Sequence, residues 1–347
     1  MRYTEAIQNG IRIINRNWQL VLIQVGVMFA SFVAFFIIVG IPLMIAFVIF
    51  GLDLTGLSRF EDVFRTFRAP SEILSKYFAL VILVLTSLLL YITAVLAVGI
   101  FLFGGSIGAI SRSITGSAEK FQFGVFLSEG KRLFFPLIGF TSLVGLIFIL
   151  VAFVLGLFGG LISAVVSIAR EQEATLALFL GVFFSLILFV IGLTLILVTL
   201  SVTAYGSAIM AVRGEGPVKS LKESVRYLYA HSHAFYLYCL VFFGYLIVSF
   251  LVVSVSYPLG MIPLIGSLLA LVYHFGAYVI QSYLGLVMIA TLFCYYYFST
   301  TVALEEEQGP PPAVTPSGDF GEKTDTSEPQ APGQGGLPPE RDPSSGI

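Results

Sequence analysis

The sequence predicts an all-α, polytopic helical membrane protein with about six transmembrane helices. Of its 347 residues, 57% are hydrophobic and only 11% are charged, whereas a soluble protein carries roughly 25% charged residues. The charges are also segregated, which leaves uncharged stretches longer than the roughly 20 residues needed to cross the hydrocarbon core. The predicted spans cover about 19–50, 77–110, 134–168, 175–212, 235–256 and 267–300.

An amphipathic helix on the membrane surface is predicted ahead of the first span, over residues 1–17. Its isoleucines recur at helical spacing, and Arg12 and Arg16 occupy another flank, which is the pattern of an interfacial helix. Trp18 follows at the position of the aromatic belt. Near the far end of the first span, Pro42 and the glycine two residues before it predict a kink or an early end.

Residues 51–76 form a hydrophilic loop on the opposite side, where phenylalanines at helical spacing predict a second surface helix. Spans three and four are predicted to form an antiparallel hairpin with a tight turn at 170–173. Glycines at 104–108 and 156–160 are interpreted as helix-packing surfaces. They are not phosphate loops, because neither cluster has the lysine of a P-loop.

The charged segment 213–234 begins with a glycine-proline turn, which favours a helix start at Pro217. An apolar stripe runs along that helix, and its bases lie mostly outside the stripe. Between residues 260 and 276 the chain is too apolar for a free loop, so a membrane-embedded turn, the start of a long last helix and a seventh crossing are all left open. The stripe consists of Val218, Leu221, Val225 and Leu228.

Lysines and arginines determine the predicted orientation. Segments 1–17, 111–133 and 213–234 together hold eleven of these bases, against five in the segments on the opposite side. The positive-inside rule therefore places the N-terminus in the cytoplasm, and six crossings return the C-terminus to the same side. The predicted location is a cytoplasmic (inner) membrane of the bacterial type.

The transmembrane domain is predicted to cover 1–303, and 304–347 form an acidic tail with nine of the chain's fifteen prolines. Such a composition buries too little apolar surface to offset the entropy of ordering, which predicts a disordered cytoplasmic tail. The tail is either inert or a contact for a protein partner. Nothing in the charge distribution indicates nucleic-acid binding.

Three weakly similar segments indicate an internal repeat. Residues 9–14, 129–134 and 223–228 read NGIRII, EGKRLF and ESVRYL, and they share the order polar, small, any, arginine, apolar, apolar. Each segment stands just ahead of an apolar span, so each unit would consist of a cytoplasmic amphipathic helix and a transmembrane hairpin. Three hairpins would give six spans in parallel repeat. Chance similarity between helix starts is the competing explanation.

The stretch from Ala208 to Arg226 resembles the linker of the glycerophosphoryl diester phosphodiesterase membrane-domain family. It keeps the alanine-isoleucine pair, the turn at Gly216 and Pro217, and the leucine and serine that follow, and it differs around the acid. The resemblance implies transmembrane hairpins joined by amphipathic linkers. The family's soluble phosphodiesterase domain, with its metal-binding carboxylates and histidines, is not recognised in this sequence, so we do not expect that catalytic activity.

Few residues are candidates for chemistry. The predicted spans contain no Asp, Glu, Lys or Arg, which weakens the case for proton-coupled transport and for an intramembrane enzyme. His274 and Gln281 share a helix face, as either a functional site or an interhelical hydrogen-bonding pair. His231 and His233 are interpreted as structural, because two histidines alone do not make a metal site. No catalytic residue, cofactor or metal ligand is predicted.

The leading hypothesis is a non-enzymatic scaffold or lipid-interacting module whose cytoplasmic helices and tail contact headgroups or a protein partner. Each surface base contributes about 1 kcal/mol of attraction to anionic lipid. The alternative is a pore or carrier for a neutral or lipid-like solute, with His274 and Gln281 near its path. The residues expected to contact membrane lipids or a partner are Arg12, Arg16, Lys131, Arg132, Lys219, Lys222 and Arg226.

Overall fold

The computed structural model describes residues 2–55, 77–116, 120–260 and 266–308. Helices are the only regular secondary structure in these ranges, which confirms the predicted all-α class. The surface helix expected within 56–76 and the disorder expected for 309–347 lie outside the described residues. The helices are α1 Tyr3–Arg16, α2 Gln19–Phe35, α3 Ile41–Thr55, α4 Phe78–Ile114, α5 Phe123–Gln172, α6 Ala174–Arg213, α7 Pro217–Ala230, α8 Ser232–Gly260 and α9 Gly266–Gln308.

Six helical stretches of the described residues are long and apolar enough to cross a membrane, so the chain is a multi-pass membrane protein with the predicted number of spans. The first span is formed by α2 and α3 together. The other five are α4, α5, α6, α8 and α9. The two remaining helices, α1 and α7, are short and carry charged residues on one side.

The first span changes its helical pitch just before Pro42. A π-helical turn, Phe36–Gly40, joins α2 to α3, and the amide of Ile41 donates to the carbonyl of Phe36. Proline lacks an amide hydrogen and its ring crowds the carbonyl four residues earlier, and a π turn is one way for a helix to absorb such a break. The predicted irregularity is therefore a π turn, and the helix continues to Thr55.

Two helices run further than their predicted boundaries. α5 continues without a break from the amphipathic segment into span three, past Pro136, whereas α1 and α7 end at Arg16 and Ala230, ahead of their spans. No turn-forming pair interrupts α5 at the corresponding place, so the helix propagates. α9 extends to Gln308, and the boundary predicted at 303 thus falls inside a helix.

α5 and α6 form an antiparallel hairpin that turns at Glu173, as predicted. Gly156 and Gly160 were expected to pack, but both are exposed and an added Cβ on either would meet nothing within 4 Å. That expectation is wrong because α6 lies against a neighbouring face of α5. The cluster at 104–108 is buried, as expected of a packing surface. The facing pairs of the hairpin include Leu155 with Gly192, Gly159 with Leu188, and Val166 with Gly181.

The core lies at the end of the bundle where the short helices meet the spans. About 44% of the most apolar part of α9 is buried, against 11% or less in each of the other five spans. α9 is therefore the central helix. Elsewhere the spans expose large apolar side chains such as Phe47, Leu89, Ile149 and Phe189, which suits contact with lipid chains that are themselves as apolar as leucine.

Candidate functional site

The short helices and the spans that they contact form a closed ring around the core. Three segments each precede an odd-numbered span: α1, the start of α5 (123–133), and α7. Each of them packs between the ends of two even-numbered spans, in the order α9, α1, α4, start of α5, α6, α7 and back to α9. This arrangement is termed the linker ring, and the three segments are termed its linker segments.

α1 closes the linker ring by packing between the last span and the second. A Cβ added to Gly10 would lie 2.8 Å from the backbone nitrogen of Thr291 in α9, so this close approach requires glycine. On the other side of α1, Arg16 donates to the Oγ of Ser113 at 2.6 Å, near the end of α4. The first helix of the chain is thereby joined to its last span.

The start of α5 packs between spans two and four. The ring of Phe126 lies against Gly105 of α4. Arg112 of α4 donates to the buried carboxylate of Glu129 at 2.8 Å. Arg132 donates to the carbonyl of Ala211 in the last turn of α6 at 3.2 Å. Carbonyls in a last turn have no partner within their own helix, so Arg132 anchors the linker segment to span four.

α7 packs between spans four and six. A Cβ added to Gly206 of α6 would lie 3.3 Å from the Oγ of Ser224, which is fully buried. The hydroxyl of Tyr227 lies 2.7 Å from the Oγ of Ser299 in α9. Burial raises the pKa of the Tyr227 phenol well above its ordinary value, and the hydrogen bond to Ser299 opposes that shift only in part. The phenol therefore acts as a neutral hydrogen-bonding group.

Equivalent positions of the predicted repeat are buried in all three linker segments. Gly10, Gly130 and Ser224 are the small residues of the three similar hexapeptides, and each is buried. Small side chains allow helix backbones to approach closely, so the same device joins each linker segment to a span. The agreement supports the predicted repeat. The residues four positions earlier are also buried, namely Ala6, Phe126 and Ser220.

Two residues of the apolar stripe of α7 point away from the linker ring, whereas the other two, Leu221 and Leu228, pack against the core. Val218 is 68% exposed and Val225 is 51% exposed, while serines occupy the packed face. Lys222 and Arg226 are exposed beside the stripe. The outward surface of α7 thus combines apolar side chains with bases, as an interfacial helix does.

The other residues predicted to contact lipids or a partner differ in their ion pairing. Lys131 is exposed and belongs to the start of α5. Lys219 lies 3.1 Å from the carboxylate of Glu215. Arg12 is exposed and forms no hydrogen bond or ion pair with any described residue. The charge of Lys219 is therefore neutralised by a nearby acid, whereas the charge of Arg12 is not compensated by any described residue.

A notch of about 190 Å³ opens between α1, the end of α4 and α9. Its polar lining consists of Asn9, Arg12, Arg16 and Ser113, and it is termed the Arg12–Arg16 notch. A second notch of about 240 Å³ lies between α7, α6 and α9. Its charged and titratable lining includes Arg213, Glu223, Arg226 and His231.

A cleft of about 580 Å³ opens between spans one, two and six and is termed the membrane cleft. Its walls are mostly apolar, with Gln24, Ser31, Tyr91 and Tyr278 among the lining residues. The Tyr91 hydroxyl donates to the backbone carbonyl of Ser31 at 3.3 Å. The Gln24 amide has no hydrogen-bonding partner among the described residues, so it is available to a bound polar group.

His274 and Gln281 do not line the membrane cleft. His274 is exposed and Gln281 is half-buried, and neither bonds to another described side chain. Seven residues of helix separate them by roughly 10 Å along α9, which is too far for a direct hydrogen bond between the two side chains. His231 stacks on Tyr227 and His233 lies 3.3 Å from the Tyr3 hydroxyl, so both have structural contacts.

Gln24 and Glu129 are the site residues that the sequence prediction does not include. Gln24 could have been found as an amide inside an otherwise apolar span. Glu129 could have been found as the polar residue that opens the second hexapeptide of the repeat. Among the described residues no group of three or more His, Cys, Asp or Glu side chains could hold a metal ion.

No known protein family, curated protein or solved structure matches the chain. The resemblance to the glycerophosphoryl diester phosphodiesterase membrane-domain family therefore stays a prediction. Function is inferred from the linker ring and the membrane cleft alone.

Proposed function

We propose that the protein is a non-enzymatic, lipid-interacting membrane module whose linker ring contacts anionic headgroups. The observation that carries this proposal is the outward surface of α7. Val218, Val225 and the 94% exposed Tyr229 project from one side of the helix, and Lys222 lies between them. An apolar stripe with interspersed bases is the pattern by which a helix lies in the headgroup region.

The packing of α7 strengthens this interpretation. Its serine face is already fixed to α6, and Tyr227 fixes it to α9, so the outward face is ordered before any lipid binds. A preorganised surface loses less conformational entropy on binding. Each exposed base then contributes about 1 kcal/mol of attraction near an anionic membrane. The positive-inside rule assigns this surface to the cytoplasmic leaflet of the inner membrane.

The test is the lipid that the protein retains in a mild-detergent preparation, measured by mass spectrometry against a total membrane extract. We expect anionic phospholipid to be enriched by the wild-type protein, and the enrichment to fall several-fold when Lys219, Lys222 and Arg226 are all changed to Glu. Arg170→Glu, at the hairpin tip between α5 and α6, is the control and should leave the enrichment unchanged. Equal enrichment in every variant would contradict the proposal.

A second candidate function is a carrier for an amphipathic, lipid-like solute, and the membrane cleft favours it. The amide of Gln24, which has no hydrogen-bonding partner among the described residues, lines this largely apolar cleft of about 580 Å³. The polar group of a solute inside the hydrocarbon region needs a hydrogen-bonding partner of this kind. In proteoliposomes, Gln24→Leu should then slow the transfer of a fluorescent phospholipid between leaflets, while Gln281→Leu should not. No protein-dependent transfer in the wild type would remove this candidate.

A further inference from the structure

We propose that the Arg12–Arg16 notch binds a phosphate group, carried by a phospholipid headgroup or present as free phosphate. The assignment rests on the proposed lipid contact and deepens it by naming one site and one ligand chemistry. It follows from a comparison of the three linker segments with one another.

In two linker segments an acid neutralises the arginines around it. The carboxylate of Glu129 is almost fully buried and lies 2.7 Å from Arg132, and Arg112 donates to it from the other side. Glu223 likewise pairs with Arg213 at 3.1 Å. Both acids open their hexapeptides, at 129–134 and 223–228. The repeat therefore places a carboxylate beside arginines at two of its three positions.

The first linker segment has Asn9 at that position. Arg12 has no hydrogen-bonding or ionic partner among the described residues, and Arg16 donates only to the neutral Ser113. No carboxylate lines the Arg12–Arg16 notch in the part of the chain that the structure describes. Two positive charges thus remain uncompensated where the sister segments hold an acid.

The donors in the notch suit phosphate. A guanidinium group presents its N–H groups in a planar fork that matches two phosphate oxygens, and the notch offers two such groups with the Asn9 amide beside them. Its volume of about 190 Å³ equals roughly six molecules of liquid water, which accommodates a phosphate and part of its ester. Basic pockets between transmembrane helices are known to take up anionic headgroups.

The rim of the notch indicates how a lipid would fit. Phe298 and Cys294 of α9 and Ile114 of α4 line it beside the polar groups, so an acyl chain could continue from the phosphate along apolar surface. Free phosphate would use the polar groups alone. A phospholipid headgroup and free phosphate would make the same contacts with Arg12 and Arg16. The affinity of the protein for each of the two ligands therefore distinguishes them.

The experiment uses the full-length chain in two settings. Inorganic phosphate is titrated in neutral detergent by calorimetry, and phosphatidylglycerol is titrated in phosphatidylcholine nanodiscs with bound lipid counted by native mass spectrometry. We expect one saturable site in the wild type. Asn9→Glu supplies the acid of the sister segments and should weaken binding at least tenfold. Gln8→Glu adds the same charge to the same helix outside the notch and should stay within twofold of the wild type.

The outcomes separate the sources and the proposals. Equal losses for phosphate and phosphatidylglycerol mean that the site reads the phosphate itself, whereas saturable binding of phosphatidylglycerol alone identifies a lipid headgroup. Unchanged binding in Asn9→Glu, or an equal loss in Gln8→Glu, overturns the site. Loss of bulk lipid enrichment on charge reversal in α7 is a different result, because it tests the proposed function without the notch.

A second variant guards against a folding defect. If Asn9→Glu lowers the melting temperature in detergent, Arg12→Gln replaces it, because Arg12 is exposed and makes no contact that the fold needs. Arg12→Gln should also weaken binding about tenfold. Wild-type affinity in a folded Arg12→Gln protein would overturn the assignment.

Discussion

At the scale of single residues, Glu129 explains how a charged group is tolerated in the core. Its side chain is 1% exposed, whereas Arg112 and Arg132 remain 44% and 50% exposed. A buried carboxylate is costly unless it is paired, and both guanidinium groups reach it from the solvent side. Because Arg112 belongs to α4 and Arg132 also holds the end of α6, this one acid links a linker segment to two spans.

Glu129→Gln should therefore destabilise the protein, because it keeps the shape and removes the charge that both arginines share. We expect a loss of about 2 kcal/mol, less than the 3–5 kcal/mol for breaking a fully buried pair, since the arginines are half exposed. Melting in detergent measures the effect. The control Glu223→Gln concerns a more exposed pair and should cost less than about 1 kcal/mol. Equal shifts in the two variants would show that burial of Glu129 is unimportant.

The hydroxyl of Tyr227 offers a second test at this scale. Tyr227→Phe removes its hydrogen bond to Ser299 and leaves the Ser299 hydroxyl with its helix carbonyl only. The expected loss is about 1 kcal/mol, the usual net value of such a bond. Tyr236→Phe, at a ring that is 62% exposed, is the matched control and should leave the melting temperature unchanged.

At the scale of elements, each linker segment includes a small residue in its packing surface. Gly10, Gly130 and Ser224 are buried against spans, whereas Val218 and Val225 face outward. In a membrane, apolar surface gains little by leaving lipid, so close van der Waals approach decides which helices associate. This explains why small residues lie at the closest contacts between the linker segments and the spans.

Gly10→Val tests that explanation for α1. The added side chain would collide with the backbone of Thr291, so α1 should detach from α9. Valine has a higher helix propensity than glycine, and a loss of α1 protection would therefore reflect the collision. Amide hydrogen exchange over residues 3–16 should rise at least tenfold. Gly26→Val is the control, because an added Cβ there meets nothing within 4 Å.

Particular elements mark the limit of what the sequence could predict. Six spans and the α5–α6 hairpin followed from composition, because lipid requires long apolar helices with satisfied backbones. The packing side of α5 did not follow, since Gly159 faces α6 while Gly156 and Gly160 lie outside. Glycines all satisfy the small-residue pattern, and only the position of the neighbouring helix separates them. The polar lining of the membrane cleft comes from three separate spans. It could not be predicted from the sequence, because it also depends on the positions of neighbouring helices.

At the scale of the whole molecule, the two ends of the bundle carry different charge. The linker ring holds most of the described bases, and the hairpin tip holds Arg170 with two acids. The positive-inside rule converts this asymmetry into an orientation. The linker ring should lie in the cytoplasm and the hairpin tip on the opposite side.

Cysteine labelling of intact spheroplasts tests this orientation. In a background where Cys239 and Cys294 are replaced by Ala, Glu171→Cys should react with a membrane-impermeant maleimide. Lys222→Cys should react only after the membrane is permeabilised. The reverse pattern would invert the orientation, and labelling of both positions in intact spheroplasts would contradict the single crossing, by α6, that separates them.

The contact between Gly10 and Thr291 also has a consequence for the order of events during synthesis. α1 leaves the ribosome first, yet the helix against which it packs is made roughly 280 residues later. At about 5–20 residues per second, that delay lasts on the order of 15 to 60 seconds. During this time the small face of α1 is uncovered and the central helix is missing. The linker ring can therefore close only after the last span is inserted, and a chain that stops before Thr291 leaves α1 without its partner in the core.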